Sequence, residues 1–494
     1  MHDDDDDTAP FLPTPERDPV VTVELELDLA DLAGLSRLPA LVRAAPSRPI
    51  RLIWHDDAAQ TLEHQAISLC HDGASWQLDR LAPTASHSWP ACGPSPTLAR
   101  GADREALGDL VPAETVPMAA LEGRSRAYRA GNVALSAVHG TVRGVVTDRP
   151  ASRLVLTGPA LQIPDVLAAL SALRVRVPRA TLAREALAAA KDAALPARHL
   201  GAPAVDGKAS VSDGLAAILD HLLDTLLFWT DRFRAERLPE AVHQARVATR
   251  RLRSALSVYR AAAACPELAA AAAAVKQCAT ILGAPRDWDV FLSGTGARLA
   301  EAAGRDARIG PLLRAAGRRR EATYSDLGEY LGGGEFRRLE LLLGATAALR
   351  PWDRLDEPDP ALRGATTPFA AGVLTKRLKR VRQRGRHIEE LPVEALHELR
   401  KDCKRLRYAT EFFGPAFAAK QVKPFGGRLS ALQEALGALN DAAAAALLMG
   451  QLGRVGRGYA GGMVDGMAAA AIGPARTEIF RCWKRFKHAA PFWH

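Results

Sequence analysis

His243-Gln-Ala-Arg-Val-Ala-Thr-Arg-Arg-Leu-Arg253 and His397-Glu-Leu-Arg-Lys-Asp-Cys-Lys-Arg-Leu-Arg407 are two copies of one phrase, H-x-x-R-x-x-x-[RK]-R-L-R, set 154 residues apart. The correspondence runs on beyond them. Counting 39 residues from each histidine reaches Leu282-Gly283-Ala284 and Leu436-Gly437-Ala438, and counting 44 reaches Asp287 and Asp441. An offset held over that length marks a duplicated unit. On a helix advancing about 100° per residue, His243, Arg246, Arg250 and Arg253 fall within about 80° of one another, while Ala248, Leu252, Leu256 and Tyr259 take the opposite side. His397, Arg400, Lys404 and Arg407 form the matching stripe of the second copy, backed by Leu399, Leu406, Thr410 and Phe413. Each copy reads as a helix that packs its apolar face into a bundle and turns its cations outward.

Like charges one and two turns apart repel, at about 0.2–0.5 kcal/mol for each pair, so an anionic partner is expected to offset them. Guanidinium groups grip phosphate oxygens two at a time and lysine adds a mobile point charge. Two such stripes side by side make a basic groove suited to a long repeating anion. Arg251 and Arg405 beside the stripes, and Lys484 and Arg485 on the last helix, are additional candidates. Asp287 and Asp441 read as helix caps or as partners of the arginine stripe of their own copy. Cationic surroundings bias each histidine toward its neutral form, and a bound polyanion reverses that bias, so binding is expected to take up protons.

Catalysis has one argument in its favour. A carboxylate recurs three residues before each histidine, at Glu240 and Glu394, and a histidine so placed is the raw material of a phosphohistidine nucleophile or a general acid. Each glutamate, however, closely follows a proline (Pro239, Pro392) and so belongs in a helix's first turn, where the helix dipole favours an acid. No metal or cofactor constellation accompanies either pair, and a non-catalytic binder is the expectation. RNA is the other polyanion that a basic helical domain invites. Aromatic residues do not interleave with the stripes except at Tyr408, which leaves base stacking little to work with.

The net charge of +9 is unevenly spread: residues 1–200 hold 20 Lys and Arg against 25 Asp and Glu, the remainder 45 against 31. The positive field therefore belongs to the half that carries the repeat, where it attracts and steers polyanions. Six cysteines show no C-x-x-C and no zinc-like spacing, as expected of isolated thiols in a reducing compartment. The chain opens Met1-His2 and then five aspartates, the opposite of a secretory signal. The longest apolar runs, such as Ala442 to Met449, fall well below the roughly 20 residues of a membrane span. A soluble, cytoplasmic protein is the expectation.

Residues 1–16, with three prolines and the Asp3–Asp7 run, read as a disordered acidic tail able to fold back over the basic groove. From 17 to 195 alternating text places strands at Val21–Asp28, Ile50–Trp54, Ala66–Cys70, Trp76–Leu81, Asn132–Ser136, Thr141–Thr147 and Arg153–Thr157, a mostly antiparallel β domain with helical text from about Val166. Residues 196–211 form a linker. From 212 to 493 the chain is rich in Ala, Leu and Arg and reads as helix, with repeat 1 over about 212–350 and repeat 2 over about 366–493. The fold class is α+β, a β domain followed by an all-α domain.

The phrase at 243–253, Leu282-Gly-Ala-Pro-Arg-Asp-Trp-Asp289, the phrase from His397 to Tyr408 and the closing Pro491-Phe492-Trp493 resemble the CHAD family, the conserved histidine α-helical domain, over about 212–493. That resemblance implies two four-helix bundles related by a pseudo-twofold axis around a basic pore that binds inorganic polyphosphate. It carries the family's basic positions to His243, Arg246, Arg250, Arg253, His397, Arg400, Lys404 and Arg407. It also implies that the protein can associate with polyphosphate granules.

The front domain resembles a worn copy of the CYTH, or triphosphate tunnel, barrel. The E-x-E-x-K signature stands as Glu24-Leu-Glu26-Leu-Asp28, the paired-arginine strand as Ile67–His71 without arginine, and the glutamate-rich late strand as Arg153-Leu-Val-Leu-Thr157 without glutamate. Glu24 and Glu26 are too few to hold the divalent metal of tunnel chemistry, so no triphosphatase or cyclase activity is expected.

Overall fold

The computed structural model describes residues 18–81, 89, 92–94, 97–144, 146–195, 200–304 and 306–494. The acidic tail at 1–16 lies outside them. The β domain comprises β1 (Val20–Leu27), β2 (Val42–Asp56), a short helix α1 (Thr61–His64), β3 (Ile67–His71), β4 (Trp76–Arg80), β5 (Cys92–Pro94), β6 (Thr97–Gly101), β7 (Val116–Ala130), β8 (Val133–Val142) and β9 (Arg149–Pro159). Helix α2 (Ile163–Leu170), β10 (Val175–Arg176) and α3 (Leu182–Ala190) complete it.

The sheet is antiparallel throughout, in the order β10-β1-β9-β8-β7-β2-β3-β4-β6, with β5 also on β1. β5 lies at one end of that order and β6 at the other, yet only two residues separate Pro94 from Thr97. A chain of that length spans about 10 Å at most, so the sheet must curl until its ends approach.

The short strands β5, β6 and β10 were not expected from the sequence, and three longer ones differ from its reading. β7 escaped it because its inward positions carry Ala119, Leu121, Ser125, Tyr128 and Ala130 between arginines, small and polar residues that blur the alternation. β2 begins eight residues before Ile50. Its register shifts between Arg43 and Arg48 absorb Pro46 in an irregular stretch of the ladder, where a missing N–H is tolerated. The two strands expected at 132–136 and 141–147 are one, β8, since Gly140 pairs with Gly123 inside the ladder instead of turning the chain.

The helical domain follows as α4 (Val211–Glu236), α5 (Pro239–Tyr259), α6 (Pro266–Ile281), α7 (Gly283–Phe291), α8 (Ala297–Ala303), α9 (Gly310–Gly332) and α10 (Gly334–Leu349), then α11 (Thr366–Arg384), α12 (Val393–Phe413), α13 (Ala419–Gln451), α14 (Gly453–Gly456) and α15 (Tyr459–Phe486). Helices α4, α5, α6 and α10 pack on one another, as do α11, α12, α13 and α15 in sequence, and the two groups meet where α5 lies on α12. Repeat 2 builds with one long helix, α13, what repeat 1 builds with α6 and α7. The break falls at Leu282 because Pro285 has no N–H to donate to the Ile281 carbonyl; Leu439 stands at that place in the second copy. The apolar run 266–303 has the length and hydropathy of a membrane span, but Leu268, Ala271, Val275 and Cys278 are buried in the bundle core.

The residues read as a linker are tied down where they are described. Ser210 caps α4 through its hydroxyl, the Ala209 carbonyl accepts the Thr366 N–H at 2.9 Å, and the Gly207 carbonyl accepts that of Thr367 at 3.1 Å. The segment therefore clamps the start of repeat 2 to repeat 1. One apolar core runs from the sheet (Val23, Leu156) through α2 (Ile163, Leu167) into the bundle (Leu219, Leu341). Trp89, fully buried within it, donates its indole N–H to the Glu24 carbonyl at 2.7 Å. Trp89→Ala is expected to lower stability by about 3–5 kcal/mol in denaturant unfolding, the usual cost of emptying an aromatic site.

Candidate functional site

Pro239 at the first turn of α5 supplies a preset φ, Glu240 stands in that turn as the dipole favours, and Ala241, Ala245, Ala248, Leu252 and Leu256 take the buried face. The stripe residues are what remains. In α12 the same logic buries Leu399, Cys403, Leu406 and Phe413. Contact between α5 and α12 then brings the stripes together.

Lys404 records that meeting most clearly. It is partly buried and stands among Arg400 and Arg407 of its own helix and Arg250 and Arg246 of the facing one; burial first, and these four cations next, push its ammonium down to about 7. His243 is held below the usual imidazole range by burial and then by Arg286, with Glu240 opposing and Arg250 and Arg246 reinforcing. Arg246 is likewise lowered, by burial and by Arg250 and Arg286, against Asp287. Arg253 is exposed and, with Arg246, Gly283, Ala284 and Asp287, lines a cavity of about 410 Å³. His397 is exposed in the second turn of α12.

The duplicated L-G-A…D element finds its use in the first copy. Asp287 faces Arg246 at 3.6 Å, which bears out its reading as a partner of the stripe. A Cβ on Gly283 would stand 2.8 Å from an Arg246 guanidinium nitrogen, so the glycine lets that side chain lie against α7. Gly437 has nothing within 4 Å of that position, and the side chain of Asp441 lies outside the described residues.

The additional candidates fall elsewhere. Arg251 is held by Glu411 at 2.9 Å, and Arg407 approaches the other oxygen of the same carboxylate at 3.5 Å. Arg405 bonds the buried Asp402 at 3.0 Å, which also accepts from Arg380 at 3.1 Å and Arg384 at 2.8 Å. Lys484 and Arg485 are exposed on α15.

One participant escaped the sequence reading, and a second was noticed there only as an aromatic beside the stripes. Arg286 lies in the quoted L-G-A-P-R-D phrase, yet it was given no role. Tyr408 is 4% exposed; the Arg407 guanidinium lies 5.3 Å from its ring centroid, and its hydroxyl, close enough to act electrostatically on Arg246, has no hydrogen-bond partner. The Arg250 Nε is also buried without a partner. Donors in that condition, beside repelling cations, are ready for oxygen acceptors.

In the β domain, Arg153, 2% exposed, reaches Glu24 at 2.9 Å and Glu26 at 4.0 Å and also bonds Glu185. Three carboxylates share one guanidinium, and burial pushes Glu24 up to about 7. The first two acidic positions of the tunnel signature are thus taken up by an internal cation. Among the described residues no group of three or more His, Cys, Asp or Glu is placed to hold a metal ion.

Fold and site define a class: an antiparallel β domain joined to a helical module in which two copies of one motif face each other cation to cation. Residues 217–449 match the CHAD domain family model, and the chain carries a CHAD domain. The family is linked to polyphosphate binding. The crystal structure of the CHAD domain from the plant Ricinus communis is similar, with a TM-score of 0.52 at 27% identity over 60% of this chain and 98% of that one. PptA from Streptomyces chartreusis aligns with a TM-score of 0.44 at 18% identity, covering 56% of this chain and all of that one. No curated protein matches the chain.

Lys404 generates a test that needs no ligand. Its folded value lies below the ordinary lysine value of about 10.4, so between pH 7 and 10 the unfolded chain binds a proton that the folded chain does not. Stability from this site therefore rises with pH through that window. Lys404→Met should raise unfolding free energy by about 1 kcal/mol near pH 6 and flatten the rise from pH 7 to 10, as read by denaturant titration across pH.

Proposed function

We propose that the protein binds inorganic polyphosphate along the paired stripes of α5 and α12 without transforming it. The observation that carries this reading is the convergence of Arg246, Arg250, Arg400, Lys404 and Arg407 on one seam, where burial and then the four arginines drive Lys404 down to about 7. A phosphate chain laid there offers a row of oxygens to forked guanidinium donors and to the Tyr408 hydroxyl, and it removes the repulsion that the empty seam carries. Affinity then comes from many charge-assisted hydrogen bonds and from release of the polyanion's counterions. By the same reading the protein works in the cytoplasm and can sit on polyphosphate granules.

His243 and Lys404 both regain protons when the anion arrives. At pH 8 binding should take up about one proton, seen as a binding heat that varies with buffer ionisation enthalpy, and Lys404→Met should abolish most of that dependence.

Phosphohydrolase or phosphotransfer chemistry at His243 or His397 is the competing reading, with nonspecific RNA binding behind it. Released phosphate after incubation with polyphosphate and a divalent cation marks the first; RNA displacing long-chain polyphosphate at equal charge marks the second. On the binding reading neither occurs. Arg250→Ala with Lys404→Ala instead weakens long-chain polyphosphate binding by about 100-fold or more, as two charge-assisted contacts predict, and wild-type affinity falls steeply with salt. A salt-independent affinity overturns it.

A further inference from the structure

Helix α11 carries cations on opposite sides. Arg377, Arg380 and Arg384 share the side that meets α12: Arg380 and Arg384 bond Asp402, and Arg377 donates to the Arg405 carbonyl at 2.5 Å. At about 100° per residue, Thr375, Lys379 and Arg382 cluster on the reverse side, and Arg386 follows in the turn just past the helix end. There they line a second cavity, about 510 Å³, closed by Trp483, Lys487, His488 and Trp493 from the end of α15 and the tail beyond it. No Asp or Glu side chain is among its lining residues.

The cavity is built rather than incidental. A Cβ on Gly385 would fall within the Trp483 ring, so only glycine lets that indole lie across the end of α11. The Trp493 indole N–H donates to the Thr375 hydroxyl at 2.8 Å, and packing of Phe492 and Trp493 on Phe425 fixes the tail that carries it. Arg382 is fastened by one guanidinium nitrogen to the Ala489 carbonyl at 2.8 Å, while its Nε is buried without a partner. Lys379, Arg386 and Lys487 stand exposed around it.

We propose that this cavity is a second anion site, separate from the α5–α12 seam, for a run of two or three linked phosphoryl groups. Helix α11, about 10 Å across, stands between the two sites, so one short ligand does not span both. A volume of this size takes a small molecule, and four cations with no Asp or Glu side chain among the lining residues select a compact, highly charged one. Trp483 and Trp493 are almost fully buried and leave no open ring face for a base to stack on. Recognition therefore rests in the phosphoryl run itself, whether free as inorganic triphosphate or carried by a nucleotide.

The test is calorimetric titration of the full chain bearing Arg250→Ala and Lys404→Ala, which leaves this cavity intact. Inorganic triphosphate should still bind, and adding Lys379→Gln and Arg386→Gln should weaken it by about 100-fold with the melting temperature unchanged. Adenosine triphosphate should bind no more tightly than inorganic triphosphate. The proposal is overturned if triphosphate binding vanishes in the seam variant, if it persists undiminished after Lys379→Gln and Arg386→Gln, or if only the nucleotide binds. Failure of the seam reading registers separately, as long-chain polyphosphate binding that ignores Arg250→Ala and Lys404→Ala.

Discussion

Glu411 is the carboxylate on which the seam depends. Its two oxygens face Arg251 of the first motif helix and Arg407 of the second, residues that the chain separates by about a third of its length. A partly buried carboxylate shared in this way by two arginines contributes register more than net energy, since desolvation cancels much of the attraction. Register is what the site needs. With α5 and α12 fixed against each other, Arg246, Arg250, Arg400 and Lys404 are held at close quarters whether or not anything neutralises them. The aromatic and aliphatic backs of the same helices, from Leu252 and Tyr259 to Leu406 and Phe413, supply the burial that keeps the repulsion from opening the bundle.

Where acids are present they divide the cations by task. Asp402, buried, engages Arg380, Arg384 and Arg405, and Glu411 engages Arg251 and Arg407; of these, Arg380 and Arg384 tie α11 to α12, and Arg251 ties α5 to α12. In the seam and in the cavity behind α11 individual guanidinium donors are left over: Arg250 Nε and Arg382 Nε are buried there without acceptors. Charge count alone does not separate the groups; the partner each guanidinium finds does.

This explains what was legible in the sequence. The stripes could be read because helical period, duplication and charge all point the same way, and the buried backs fall where the period puts them. Arg251 and Arg405 share the same dense phrase and looked equivalent, since nothing local announces that Glu411 or Asp402 will reach them. The Leu282-Gly283-Ala284 element was visible as a repeat but not as the bed on which Arg246 lies. The cavity behind α11 was invisible for a further reason: its walls come from residues about 100 apart, and only the Trp483 and Trp493 packing joins them. In the β domain, alternation identified β1 and β9, while β7 was hidden by small and charged residues on a strand that is paired on both sides.

Duplication has not left the two motifs equal. In the first copy Arg246 is braced by Asp287 and cushioned by Gly283, with Arg286 beside it; in the second, the place of Arg250 is taken by Lys404, and Gly437 has open space before it. A guanidinium keeps its charge in such surroundings, whereas an ammonium gives up its proton when crowded. The lysine therefore gives up part of its charge in the empty seam near neutral pH, and more of it above, and regains it when an anion enters. Arginine at that position would leave the helices to repel permanently, and an apolar residue would relieve them permanently. Lysine at this place thus lowers the cost of keeping the cations together while the seam stands empty, on top of the burial that holds the helices.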